Sequence, residues 1–141
     1  MSYLHTLQSK RNRVSNQMYT KQQQHSVASD EVSRLTTALS NLQAEVSDLR
    51  SSKSKIDKLS IQTSRWKGKN ESTFSNRYSS YQSTVNSYSN KADDAKERVA
   101  DDLRRAEERK NSLASDITNL QWSLNSLDNQ IRWERVAQQK G

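Results

Sequence analysis

The chain has 141 residues, no Pro, no Cys and two Gly, with 30% hydrophobic residues, 28% charged residues and a formal net charge of +7. So few turn-forming residues argue against a many-stranded sheet, and the low hydrophobic content argues against a large globular core. The lack of Cys excludes disulfides and thiolate metal sites. Two interpretations are left: long helices that bury a narrow seam, or a disordered chain.

The first predicted helix covers about residues 3–63. Alternate steps of three and four residues from Leu4 to Ile56 reach sixteen positions without a change of register, and twelve of them are apolar. Such a heptad alternation is typical of a coiled-coil helix, and a disordered chain does not need it. The positions are Leu4, Leu7, Arg11, Val14, Met18, Lys21, His25, Ala28, Val32, Leu35, Leu39, Leu42, Val46, Leu49, Lys53 and Ile56.

Polar residues interrupt this seam at Arg11, Lys21, His25 and Lys53, and at Lys110 in the second half. One interpretation is that their long side chains run along the seam and bring their polar ends to water. The alternative is that polar seam positions fix the register and the choice of partner.

A short turn is predicted over residues 64–71, near the middle of the chain. It contains Gly68, the one internal glycine, which tolerates the left-handed backbone that ends a helix. Asn70 is expected to cap the next helix, with Glu71 in its first turn. A turn between two equal helices predicts a single all-α antiparallel hairpin.

The second predicted helix covers about residues 71–137. Its seam is predicted to begin with aromatic residues, namely Phe74, Tyr78, Tyr81 and Tyr88. A step of four residues from Val99 to Leu103, where three were due, is interpreted as a stutter in the coiled coil. The alternation then continues to Ile131. In the antiparallel pairing, Ile56 is expected near Ser80 and Leu35 near Asp101.

Trp122 and Trp133 lie outside the register of this second seam. Isolated surface aromatics are common, but a second apolar face that contacts a partner would explain both tryptophans at once. Trp66 in the predicted turn has two interpretations as well. It either covers the end of the hairpin or anchors a docking surface.

The turn sequence Trp66-Lys67-Gly68-Lys69-Asn70, between two heptad helices and followed by the aromatic series, resembles the WxG proteins of type VII secretion. Over nearly the whole chain the sequence is more similar to the YwqH-like proteins, small helical proteins encoded beside LXG toxins in Gram-positive bacteria. This resemblance implies an adaptor, targeting factor or chaperone. Its partner would be the helical N-terminal domain of an LXG toxin, together with a second small helical protein.

The resemblance also implies delivery of the toxin to the type VIIb secretion system. WxG substrates typically end in a Tyr-x-x-x-Asp/Glu export signal, and no Tyr of this chain has an acid four positions on. The chain is therefore expected to rely on its partner for that signal. The partner-binding residues are expected to be Trp66, Gly68, Phe74, Tyr78, Tyr81, Tyr88, Trp122 and Trp133.

No catalytic motif is found, so the protein is not expected to be an enzyme or to need a cofactor or metal. Basic residues cluster between Arg50 and Lys69, but no base-reading motif accompanies them, and nucleic acid is not the expected partner. The sequence has no apolar run long enough for a signal peptide or a membrane span. It predicts a protein made in the cytoplasm, and the resemblance implies that any export takes place together with its partner through type VII secretion. The rival hypotheses are a self-associating structural coiled coil and a basic nucleic-acid-associated protein.

Overall fold

The protein consists of two long α-helices, α1 over Tyr3–Thr63 and α2 over Lys69–Lys140. The computed structural model describes the backbone of residues 3–63 and 69–140, and their side chains except those of residues 59–63, 69–72 and 74. The two helices pack against each other, which confirms the predicted all-α hairpin. Helix α2 begins two residues before the predicted start, so Asn70 lies inside its first turn. Differences of this size are ordinary at helix ends.

The seam predicted for α1 is confirmed at all sixteen positions, because each of them is buried or half-buried. This includes the four polar positions, which are half-buried. Two of the four form ion pairs as well: Arg11 pairs with Asp128, and Lys21 pairs with Asp116 at 3.3 Å. These polar seam residues therefore contact acids on the opposite helix.

The chain divides into two compact units, each built from a segment of both helices. The first unit comprises Met1–Ser33 and Arg104–Gly141. Its ion pairs join α1 and α2 in antiparallel order, since the α2 partner moves from Asp128 to Arg109 as the α1 partner moves from Arg11 to Glu31. Its buried core is formed by Leu7, Ala28, Ala106, Leu113, Leu124 and Ile131.

The second unit comprises Arg34–Leu103. Among its described side chains only Val46 and Ser89 are fully buried. The Tyr78 hydroxyl donates a hydrogen bond to the Ile56 carbonyl, within two residues of the predicted pairing of Ile56 with Ser80. Antiparallel packing here therefore follows the predicted register closely, with a thinner core.

The register predicted for the first part of α2 is wrong at two tyrosines. Tyr81 and Tyr88 are 59% and 60% exposed, whereas Gln82 is half-buried and Ser89 is 9% exposed. The true seam follows one uninterrupted alternation of four and three residues, so the predicted stutter at Val99 is absent. It runs through Tyr78, Gln82, Val85, Ser89, Ala92, Lys96, Val99 and Leu103.

The physical reason is the rigidity of the helix. An α-helix carries its phase from turn to turn, and a seam packed continuously against another helix keeps that phase. The leucines and isoleucines between Leu103 and Ile131 determine the phase of α2. Keeping it leaves two tyrosines in solvent, and their hydroxyls retain hydration there.

Candidate partner-binding surfaces

Trp122 and Trp133 are the most exposed large hydrophobic residues that the structure describes, at 72% and 68%. They are eleven residues apart on α2, which is close to three full turns, so both project from nearly the same side of the helix. Their separation along the axis is roughly 16 Å. The prediction that both lie outside the seam is confirmed, and the structure brings them together on one face of the first unit.

A groove runs beside the seam at Trp122. We call it the Trp122 groove; α1 contributes Lys10, Arg13 and Val14 to it, and α2 contributes Trp122, Ser123, Ser126 and Leu127. Val14 and Leu127 are half-buried seam residues and form its apolar floor, while the other lining residues are exposed. Trp133 lies one heptad beyond Ser126, so it projects from the same side of α2 as this wall of the groove.

The charged residues of the Trp122 groove are both basic. Among the ion pairs of the described residues, none involves Lys10 or Arg13. The sequence has no acid before Asp30, so α1 has no carboxylate near Lys10 and Arg13. The groove therefore combines exposed indole surface with two cations that have no ionic partner in the described part of the chain.

A second groove flanks the seam of the first unit on its other side. Its lining includes Arg11, Asp128, Ile131, Arg132 and Arg135. Here the charges are partly satisfied, because Arg11 pairs with Asp128 and Arg132 donates a hydrogen bond to Asn129 at 2.7 Å. No tryptophan lines it. This groove, which we call the Arg135 groove, differs from the Trp122 groove because it has no tryptophan and contains the acid Asp128.

In the second unit, Tyr81 and Tyr88 form a separate aromatic stripe. They are one heptad apart on α2 and lie beside Arg77, Thr84 and Lys91. A tyrosine presents a rigid ring and a polar hydroxyl at little cost in conformational entropy, which suits contact surfaces. Their exposure leaves both rings accessible to a partner, whereas the sequence pattern placed them on the intramolecular seam.

Tyr78 is used within the chain. Its hydroxyl contacts the Ile56 carbonyl and accepts a hydrogen bond from Gln82 at 3.3 Å, and Gln82 also reaches Asp57 at 2.9 Å. Of the remaining predicted contact residues, Trp66 and Gly68 lie outside the described residues, as does the side chain of Phe74. Sequence reasoning missed Lys10 and Arg13. The acid-free stretch that precedes Asp30 was the signal that could have drawn attention to them.

A search of the described residues finds no group of three or more His, Asp or Glu side chains arranged to hold a metal ion. It also finds no helix with a stretch apolar enough to cross a bilayer.

A family model for YwqH-like proteins matches residues 9–129, which is most of the chain. The chain belongs to the YwqH-like family. The matched part of this YwqH-like protein contains Lys10, Arg13 and Trp122, while Trp133 lies beyond it. No curated protein matches the chain, and no solved structure does.

Proposed function

We propose that this YwqH-like protein is a helical adaptor that binds the helical N-terminal domain of an LXG toxin and helps deliver it to the type VIIb secretion system. The observation that carries the binding role is the pair of exposed tryptophans on one face of α2. Tryptophan buries a large area on contact and is enriched among the residues that dominate interface energetics. Family membership supports the choice of partner.

Binding rather than catalysis is the activity that the surface supports. The exposed features are two grooves along a helix pair and a tyrosine stripe, and such surfaces suit the apolar face of another helix. We therefore propose no enzymatic role.

The test is co-expression of the protein with the N-terminal domain of an LXG toxin encoded beside its gene. We expect the two to purify together as a complex of defined size by light scattering. A toxin domain that is soluble alone and elutes separately at micromolar concentration would contradict the proposal. An alternative, the self-associating coiled coil, predicts instead that the lone protein forms a stable homo-oligomer.

A further inference from the structure

The exposed indole and the two cations of the Trp122 groove indicate what kind of partner segment binds there, which makes the proposed function more specific. From this groove we infer that the first unit binds an acidic amphipathic helix. The partner helix would place apolar side chains against Trp122 and Trp133, and carboxylates against Lys10 and Arg13. The inference rests on the proposed function only for the identity of the partner protein, and the surface can be tested without any toxin.

The shape of the groove favours a helix. It lies between two antiparallel helices, and its lining residues recur one helical turn apart, as Lys10 and Val14 do on α1 and Trp122 and Ser126 do on α2. A third helix with apolar residues at heptad spacing meets such a groove along its length, as in a three-helix bundle. On α1, Tyr3 is 58% exposed and lies one heptad before Lys10, so it extends the aromatic character of this face.

The charge of the groove favours acidic flanks on that helix. Lys10 and Arg13 are exposed on one wall, and the other wall contributes the uncharged Trp122, Ser123 and Ser126. Complementary charge at the edge of an apolar contact fixes orientation and rejects basic partners. The Arg135 groove lacks this combination, because no tryptophan lines it and its lining includes the acid Asp128.

The same charge disfavours a second copy of this chain in the groove. A symmetric dimer whose two-fold axis passes through this groove would bring Lys10 and Arg13 of one copy close to those of the other. Like charges across an interface are destabilising, and this part of α1 has no acid to offset them. The occupant is therefore an acidic helix of another protein.

The probe is a pair of synthetic fluorescein-labelled peptides of four heptads. Both carry Leu at the two seam positions of every heptad, and they differ only in having Glu or Lys at the flanking positions. Binding to the full chain is followed by fluorescence anisotropy at physiological salt. We expect the Glu peptide to bind about tenfold or more tightly than the Lys peptide. Equal affinities, or tighter binding of the Lys peptide, would overturn the inference, as would the absence of binding.

Matched variants locate the contact. Trp122→Ala and the double variant Lys10→Glu/Arg13→Glu should each weaken binding of the Glu peptide about tenfold or more. Tyr19→Ala removes an equally accessible aromatic, 63% exposed, from the first unit. Arg132→Glu/Arg135→Glu changes the net charge by the same amount in the other groove. Both controls should leave the affinity within about threefold. A control that weakens binding as much as its partner variant refutes the assignment.

Two further measurements separate the possible failures. Thermal melts of all four variants should match that of the parent, because every substituted side chain is exposed. Sedimentation equilibrium should show a monomer, and a dimer abolished by Trp122→Ala would show that a second copy is the occupant and overturn the inference. If the Glu peptide binds as expected but the toxin domain does not co-purify, the proposed function fails and the groove assignment stands.

Discussion

At the scale of single residues, the tyrosines of α2 show that one residue type can serve two purposes in one helix. Tyr78 is half-buried, and its hydroxyl contacts a main-chain carbonyl of α1, whereas Tyr81 is one turn away and 59% exposed. The difference follows from heptad position alone. A hydroxyl that replaces water with a protein acceptor in a partly buried site contributes to stability, while a fully hydrated one contributes little.

Tyr78→Phe should therefore lower the free energy of unfolding by about 1 kcal/mol, because the Ile56 carbonyl and Gln82 lose their contact with its hydroxyl. Tyr81→Phe is the matched control and should change stability by less than about 0.5 kcal/mol. Urea denaturation followed by circular dichroism measures both. A loss of similar size in both variants would show that the Tyr78 hydrogen bond is not what stabilises this site.

Trp66 tests the turn that the sequence predicts. Trp66→Ala should destabilise the lone protein by about 1–2 kcal/mol, less than the loss of a fully buried tryptophan, because few neighbours are expected where the seam ends. Recovery of the LXG domain in a pull-down should fall more strongly, since an interface anchor is lost. Gly68→Val is the comparison, as a β-branched residue disfavours positive φ and should disturb the turn itself. Normal toxin binding by Trp66→Ala would remove Trp66 from the contact surface.

At the scale of the helix, the phase of α2 decides which residues are available to a partner. One unbroken alternation passes from Tyr78 to Ile131, so the polar stretch near the start of α2 keeps the register determined by the leucines further on. The buried seam position at this end is occupied by Ser89, a small residue that allows the helices to approach closely. This phase therefore exposes Tyr81 and Tyr88 on the surface, where the aromatic pattern had predicted them in the core.

Substitution with lysine distinguishes the observed register from the one that the aromatic pattern predicted. Ser89→Lys places a charge on the buried seam. The nearest acid on α2, Asp93 one turn further on, already pairs with Arg50 of α1. We therefore expect the substitution to lower the free energy of unfolding by about 2 kcal/mol or more. Tyr88→Lys changes an exposed position and should cost less than about 0.5 kcal/mol. Thermal melts compare the stabilities of the two variants. A larger loss for Tyr88→Lys than for Ser89→Lys would show that the aromatic register is the correct one.

At the scale of the whole molecule, the two units differ in how they are packed. Among the described side chains, the first contains six buried hydrophobic residues, while the second contains buried Val46 and the buried polar Ser89. Local opening is easiest where few apolar contacts must be broken. The described part of the second unit therefore buries fewer apolar side chains, and its exposed ion pair of Arg50 with Asp93 at 3.7 Å contributes about 0–1 kcal/mol.

Hydrogen exchange should reveal this difference. Amides around Leu113 and Leu124 in the first unit should exchange about tenfold or more slowly than amides around Val46 and Ser89. Peptide-resolved mass spectrometry of the isolated protein measures the rates. Addition of a partner that covers only the first unit should leave the faster rates unchanged. Uniform protection along both helices would mean that the thin core does not limit stability.

The charge distribution predicts weak binding of nucleic acid. Residues 1–70 contain 12 basic and 5 acidic side chains, whereas residues 71–141 contain 11 of each. Such an excess attracts phosphate groups, but it is screened by salt and reads no base. We expect dissociation constants weaker than about 1 µM at physiological salt, measured by anisotropy with labelled duplexes of different sequence. A sequence-selective nanomolar complex would assign the protein to another class.

The amino-acid pattern alone predicts the all-α hairpin, the bounds of α1 and every seam position from Leu4 to Ile56. It could do so because a heptad pattern repeated without interruption leaves one solution for a long helix. It also placed Trp122 and Trp133 outside the seam, because their phase differs from that of the leucines around them.

Two features depend on the packing of the helices: which tyrosines of α2 are exposed, and which residues lie beside Trp122. In the stretch of α2 that contains these tyrosines, hydrophobicity alone favours the register that buries Tyr81 and Tyr88, and only continuous packing against α1 selects the one that buries Ser89 and exposes Tyr88. Likewise, Lys10 and Arg13 are more than a hundred residues from Trp122 in the chain. They share its groove because antiparallel pairing brings the start of α1 beside the end of α2, a relation that no local pattern contains.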